Sequence, residues 1–131
     1  MAGEPGGWVV EQYTTKSGAS PFTAFFNGLT GRNREEAIAL LVALREHGNM
    51  LRPPRSKQVE PGLFEMRSGH QVRIFYMFLP GQRIVLLDGI IKKTDDIPKD
   101  DLQRVRQYKR EVESGPAGRP APGLRQRGST R

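Results

Sequence analysis

The sequence predicts an α+β fold: a helical hairpin packed on one face of a four-stranded, mainly antiparallel sheet, with a C-terminal helix and a concave, basic second face. Three observations predict it. Between Gly62 and Thr94, three apolar runs are separated by Ser68-Gly69-His70 and Pro80-Gly81-Gln82, and the runs have the β-branched and aromatic content of strands. Between Ser20 and His47, apolar residues recur at helical spacing in two successive segments. A third, charge-rich helical segment follows Pro98.

Taken in order, Trp8 to Tyr13 is short and β-prone, and adds a strand to the edge of the meander. Ser20-Pro21 reads as N-cap and first helical position, where a missing N–H does no harm. Phe22, Phe25, Phe26 and Leu29 then give a short helix with one aromatic face, which is core. Thr30 caps the next helix, with Asn33 and Glu36 as a later capping pair. That helix carries Ala37, Leu40, Leu41 and Leu44 on one stripe and ends near His47, with Gly48 as a left-handed exit. The paired prolines of Arg52-Pro53-Pro54-Arg55-Ser56-Lys57 exclude helix and predict an extended linker, whose three cations face solvent or a ligand.

Leu63 to Arg67, Gln71 to Leu79 and Ile84 to Ile91 are the three strands of the meander. The third is apolar almost without interruption, as a central strand covered on both faces would be. The last helix, about Lys99 to Glu113, carries only Leu102, Val105 and Val112 as its stripe, so it either docks lightly or awaits a partner. The organisation expected is a flexible leader over residues 1–7, one domain over 8–113, and a disordered basic tail over 114–131.

A chain of 131 residues supports a single core. No apolar run approaches the roughly 18 residues of a membrane span, and no signal segment opens the chain, so the expectation is a soluble, cytoplasmic protein. The sequence contains no cysteine and only two histidines, which excludes disulfides, thiolate metal sites and a His-rich metal centre. The net charge of +7 points to a polyanionic partner such as nucleic acid.

The sheet cations are the candidate functional residues: Arg67 at the end of the first run, Arg73 inside the second, and Lys92-Lys93 just past the third. A buried cation needs a partner or a ligand. If the loop after Arg67 is odd-membered, with Ser68 opposite Val72, then Arg67 lies opposite Arg73 on one face, an arrangement that favours an anion between them. A two-residue turn would put them on opposite faces. The plainer alternative for Arg73 is an ion pair with Glu65 or Asp88. For Lys92-Lys93 it is a solvated strand end, and for His70, a conceivable general acid, it is an inert turn residue.

The segments G-L-F-E-M-R (62–67), R-I-F-Y (73–76) and I-V-L-L-D-G-I-I-K-K-T (84–94), followed by Pro98, resemble the RelE/ParE toxin superfamily in its phage-derived, HigB-like branch. The resemblance runs from about Trp8 to about Tyr108. It implies a RelE-like fold and the toxin of a type II toxin-antitoxin pair, a metal-independent endoribonuclease that cuts mRNA in the ribosomal A site and arrests translation without a cofactor. The implied partners are a helix-turn-helix antitoxin, mRNA and the ribosome. Arg73 matches the family's main sheet arginine, Arg67 a further basic position and Lys92-Lys93 its basic pair. Lys57 matches a position that contacts RNA less uniformly, and Arg55 and Tyr76 complete the candidate RNA contacts, although Tyr76 is usually packing in this branch. The chain departs where Asp88 and Ile90 replace the branch's usual His and Phe, and where Asp96 replaces a frequent Lys. Two alternatives stay open: a ParE-like toxin that inhibits gyrase by binding, and a catalytically degenerate relative.

Overall fold

The computed structural model describes residues 7–92, 94 and 96–115. Five strands, β1 (Val9–Gln12), β2 (Ser56–Glu60), β3 (Leu63–Arg67), β4 (Val72–Leu79) and β5 (Arg83–Ile91), form one sheet in the order β1-β5-β4-β3-β2. The sheet is mixed, because β1 runs parallel to β5 while the other three pairings are antiparallel. The expected four-stranded sheet therefore gains a strand. Its source is the segment read as an extended linker: prolines that forbid helix leave the chain extended, and from Ser56 it pairs with β3 as an edge strand. The third run, β5, lies between β1 and β4, so the middle place belongs to β4.

Helices α1 (Pro21–Asn27) and α2 (Gly31–His47) cover one face. Ser20 caps α1 by accepting the N–H of Thr23 at 3.3 Å, with Pro21 at the first position, as expected. Thr30 stands at the cap of α2 without a side-chain bond. Phe22, Leu40 and Leu44 pack against Met66, Ile74, Tyr76 and Leu86 in the first of two cores. Gly89 lets α1 come close, since a Cβ there would stand 2.3 Å from the Phe25 ring. At the end of α2, Gly48 has φ +49 and lies under the Trp8 indole, so both its conformation and its space demand glycine.

The opposite face is not the open basic surface expected. It carries the second core, in which Leu63, Phe75, Met77 and Leu87 meet α3 (Lys99–Ser114) through the fully buried Val105. The helix docks firmly because its stripe is wider than three aliphatic residues suggest. Tyr108 belongs to it and stacks on Tyr13 with ring centroids 4.7 Å apart, and the Tyr13 hydroxyl donates to Glu111. Alternation along β4, with Val72, Ile74 and Tyr76 toward the helical hairpin and Phe75 and Met77 toward α3, is what a strand buried on both faces requires.

A bulge in β5 completes the frame. Phe75 pairs with Asp88 and Tyr76 with Leu86, which leaves Leu87 as the extra residue. Asp88 thereby reaches α3, where its carboxylate accepts from Arg104 at 3.0 Å and also from the Gly89 N–H at 2.7 Å. The leader and tail expected at the two ends fall, apart from Gly7, Ser114 and Gly115, outside the described residues.

Candidate functional site

The site is built on the β3-β4 turn. Ser68 N–H donates to the Val72 carbonyl at 3.0 Å, and the Ser68 hydroxyl accepts the N–H groups of His70 at 3.2 Å and Val72 at 3.1 Å. Ser68 thus stands opposite Val72 across a three-residue loop. The odd-membered alternative is the one realised, and Arg67 pairs directly with Arg73. On the other side of β3, the Arg67 N–H donates to the Arg55 carbonyl at 2.9 Å, so three arginines stand side by side at one end of the sheet.

Two opposed guanidiniums repel unless an anion lies between them. Here the anion is Glu65, two residues back along β3 on the same face. One carboxylate oxygen lies 3.0 Å from Arg67 and the other 3.2 Å from Arg73. The Glu65 side chain is fully buried and that of Arg73 is 3% exposed, whereas Arg67 keeps 20%. Arg73 also donates to the Thr94 carbonyl, which ties the segment after β5 to the cluster. The plainer alternative for Arg73, an ion pair with Glu65, is therefore present; Asp88 is engaged elsewhere, by Arg104.

In front of the arginines opens a cleft of about 380 Å³ lined by Pro54, Arg55, Arg67, Ser68, His70 and Arg73. Among the described residues three guanidiniums meet one buried carboxylate here, which makes the cleft cationic, and a planar guanidinium fork suits a phosphate. The far wall is anchored to α2 through Glu36, whose Oε2 lies 2.9 Å from both Arg32 Nε and His70 Nδ1. A hydrogen bond from Ser68 chiefly holds the Glu36 carboxyl below its ordinary 4.5; burial opposes that shift, and Arg32 and His70 add to it.

Of the other candidates, Lys57 is exposed on β2 and pairs in register with Glu65, on the arginine face of the sheet. Lys92 is half-buried just past β5, with its N–H donating to the Gln71 carbonyl at 2.7 Å, which places it at the same end of the sheet. Lys93 lies outside the described residues. Tyr76 is corrected: it is 1% exposed on the helical-hairpin face, its hydroxyl 2.6 Å from that of Ser56, so it packs the core and presents no surface to RNA. Asp96, also noted as a departure, is exposed.

Sequence reasoning did not find the Glu36, Ser68 and His70 connection. Local spacing assigns Glu36 to a helix cap, and nothing in it joins α2 to a turn more than thirty residues on. Among the described residues no group of three or more His, Asp or Glu is placed to hold a metal ion, and no helix is long and apolar enough to cross a membrane.

Residues 24–110, more than half of the chain and the whole of the cleft, match the family described as Phage derived protein Gp49-like (DUF891). A comparison with curated proteins found no match.

Proposed function

The chain belongs to the phage-derived Gp49-like family, a family of RelE/HigB-like toxins, and from that premise we propose that it is the toxin of a type II toxin-antitoxin pair that arrests translation by cutting mRNA on the ribosome. Its place is with the HigB-like branch, and it acts in the cytoplasm. The observation that carries the reading is the cationic cleft beside Arg55, Arg67 and Arg73, at the open end of a sheet otherwise covered on both faces.

RNA brings its own nucleophile, the 2′-OH, so the protein needs to hold the strand, stabilise the charge that develops on phosphorus, and manage protons. In this reading Arg67 and Arg73 supply the second function. Glu65 fixes their guanidiniums opposite one another before substrate arrives, so little reorganisation is left for the reaction itself. Lys92, at the same end of the sheet, adds positive charge and proton-transfer capacity, and Lys93 follows it in sequence. Lys57 and Arg55 hold the flanking strand by its phosphates. No cofactor is required, and the partners are mRNA, the ribosome and a helix-turn-helix antitoxin that covers the cations.

One observation favours a second reading. Glu65 already neutralises part of the charge on Arg67 and Arg73, as it would in a relative that binds without cutting. A gyrase-directed ParE-like toxin has no comparable support, since it does not need this cation set.

Induced expression without antitoxin, followed by incorporation of labelled amino acid and labelled thymidine in one culture, separates the readings. Protein synthesis should fail first. Earlier failure of DNA synthesis would point to gyrase, and failure of neither to an inactive relative.

A further inference from the structure

The turn that walls the cleft is held more tightly than a three-residue connection requires. Ser68 fixes the backbone at both His70 and Val72, and the Glu36 carboxylate of α2 holds Arg32 and the His70 imidazole at once. With Nδ1 only 2.9 Å from a carboxylate oxygen, the ring orientation of His70 is set, and Nε2 remains as its second proton-carrying nitrogen. The same His70 lines the cleft together with Arg55, Arg67 and Arg73.

Arginine stays protonated at any working pH, so a wall of arginines stabilises charge but cannot hand a proton to a leaving oxygen. Among the described residues lining the cleft, His70 carries the one imidazole, a group that can both donate and accept a proton. A nearby base or acid held in place by a third group is the arrangement that proton-transfer catalysis uses.

Resting on the RNA-cleaving reading above, we propose that His70 is the catalytic acid of the cleft and that Glu36 is its positioning residue. The 2′-oxygen loses its proton to solvent and bonds to phosphorus, and the bond from phosphorus to the 5′-oxygen breaks. The His70 imidazolium gives its Nε2 proton to that departing oxygen. The products are a 2′,3′-cyclic phosphate and a 5′-hydroxyl, with His70 left neutral and reprotonated from solvent.

The test uses ribosomes programmed with a synthetic mRNA that carries, at the mapped cleavage position, either the ordinary linkage or one with sulfur in place of the bridging 5′-oxygen. Sulfur leaves without being protonated. His70→Gln should cut the ordinary linkage on the order of 100-fold more slowly than wild type, yet cut the sulfur linkage at the wild-type rate. Glu36→Gln should show a smaller loss that sulfur also restores. Wild-type rates for His70→Gln on the ordinary linkage, or an equal loss on both linkages, would overturn this inference and leave the RNA-cleaving reading standing. Failure of the wild type to cut either linkage would overturn both. Recovery on sulfur also proves the variants folded, since a merely structural defect would slow both substrates alike.

Discussion

The carboxylate of Glu65 lies 3.2 Å from the guanidinium of Arg73, in a place where Glu65 is fully buried and Arg73 nearly so. With its other oxygen 3.0 Å from Arg67, this one acid joins the two arginines that the register sets face to face. The pair makes Arg73 part of the fold as well as part of the cleft, and that changes what its mutation should do.

Arg73→Ala should destabilise the protein as well as disarm it. Removing one partner strands the Glu65 charge with Arg67 alone, and breaking a buried pair in this way costs about 3–5 kcal/mol. Arg73→Lys keeps a positive charge near Glu65 while losing the planar fork, so it should fold with a smaller loss. Urea unfolding of both variants checks this. Equal stability of Arg73→Ala and wild type would mean that the ion pair contributes nothing to the folded state.

Glu65→Gln should turn the cleft into a better anion site. With the carboxylate charge gone, Arg67 and Arg73 would face each other without Glu65 between them, lowering stability but leaving more positive charge for phosphate. The melting temperature of the variant should therefore rise more steeply with inorganic phosphate than that of wild type, at matched ionic strength, because ligand binding stabilises by mass action. Parallel phosphate responses would show that Glu65 does not shield the arginines.

Much of this arrangement is legible in the sequence, because its signals are local. The Ser20-Pro21 start, the Gly48 exit, the two helical stripes and the three strands follow from periodicity and turn residues. The opposed arginines were one of two explicit alternatives, and the Ser68 hydroxyl, by bonding both His70 and Val72, makes the odd-membered loop the one adopted. What escaped is long-range. The pairing that draws Ser56–Glu60 into the sheet has no signature of its own in a segment opened by prolines. The docking of α3 depends on Tyr108 finding Tyr13, and on the bulge that brings Asp88 to Arg104. For Arg73, sequence weighed ion pair against active-site cation, while the structure places it in a Glu65 pair and at the wall of the cleft together.

Acid should loosen the links between elements in a narrow window. Glu36 is held low chiefly by its Ser68 bond, Glu60 by its Arg106 bond and Glu111 by its Gln107 and Tyr13 bonds, each against an ordinary value of 4.5. A carboxyl whose folded pKa is depressed contributes stability that is fully present above its unfolded pKa and is lost as pH falls through the folded one. The contribution of these three carboxyls should therefore be constant from neutrality to about 4.5 and decline below it. In melting curves across that range, Glu36→Gln, Glu60→Gln and Glu111→Gln should each flatten the decline. An unchanged slope in all three would remove these contacts as its source.

The most direct measurement is cleavage of mRNA on purified ribosomes by the wild-type protein and by Arg73→Lys, with the cut ends mapped by primer extension. The wild type should cut and leave a 2′,3′-cyclic phosphate. The variant, with folding verified in parallel, should cut on the order of 10²–10³ more slowly, as loss of an aligned transition-state donor implies. Intact mRNA with wild-type protein, or equal rates for the two, would contradict the assignment of the arginine cleft as the site of RNA cleavage.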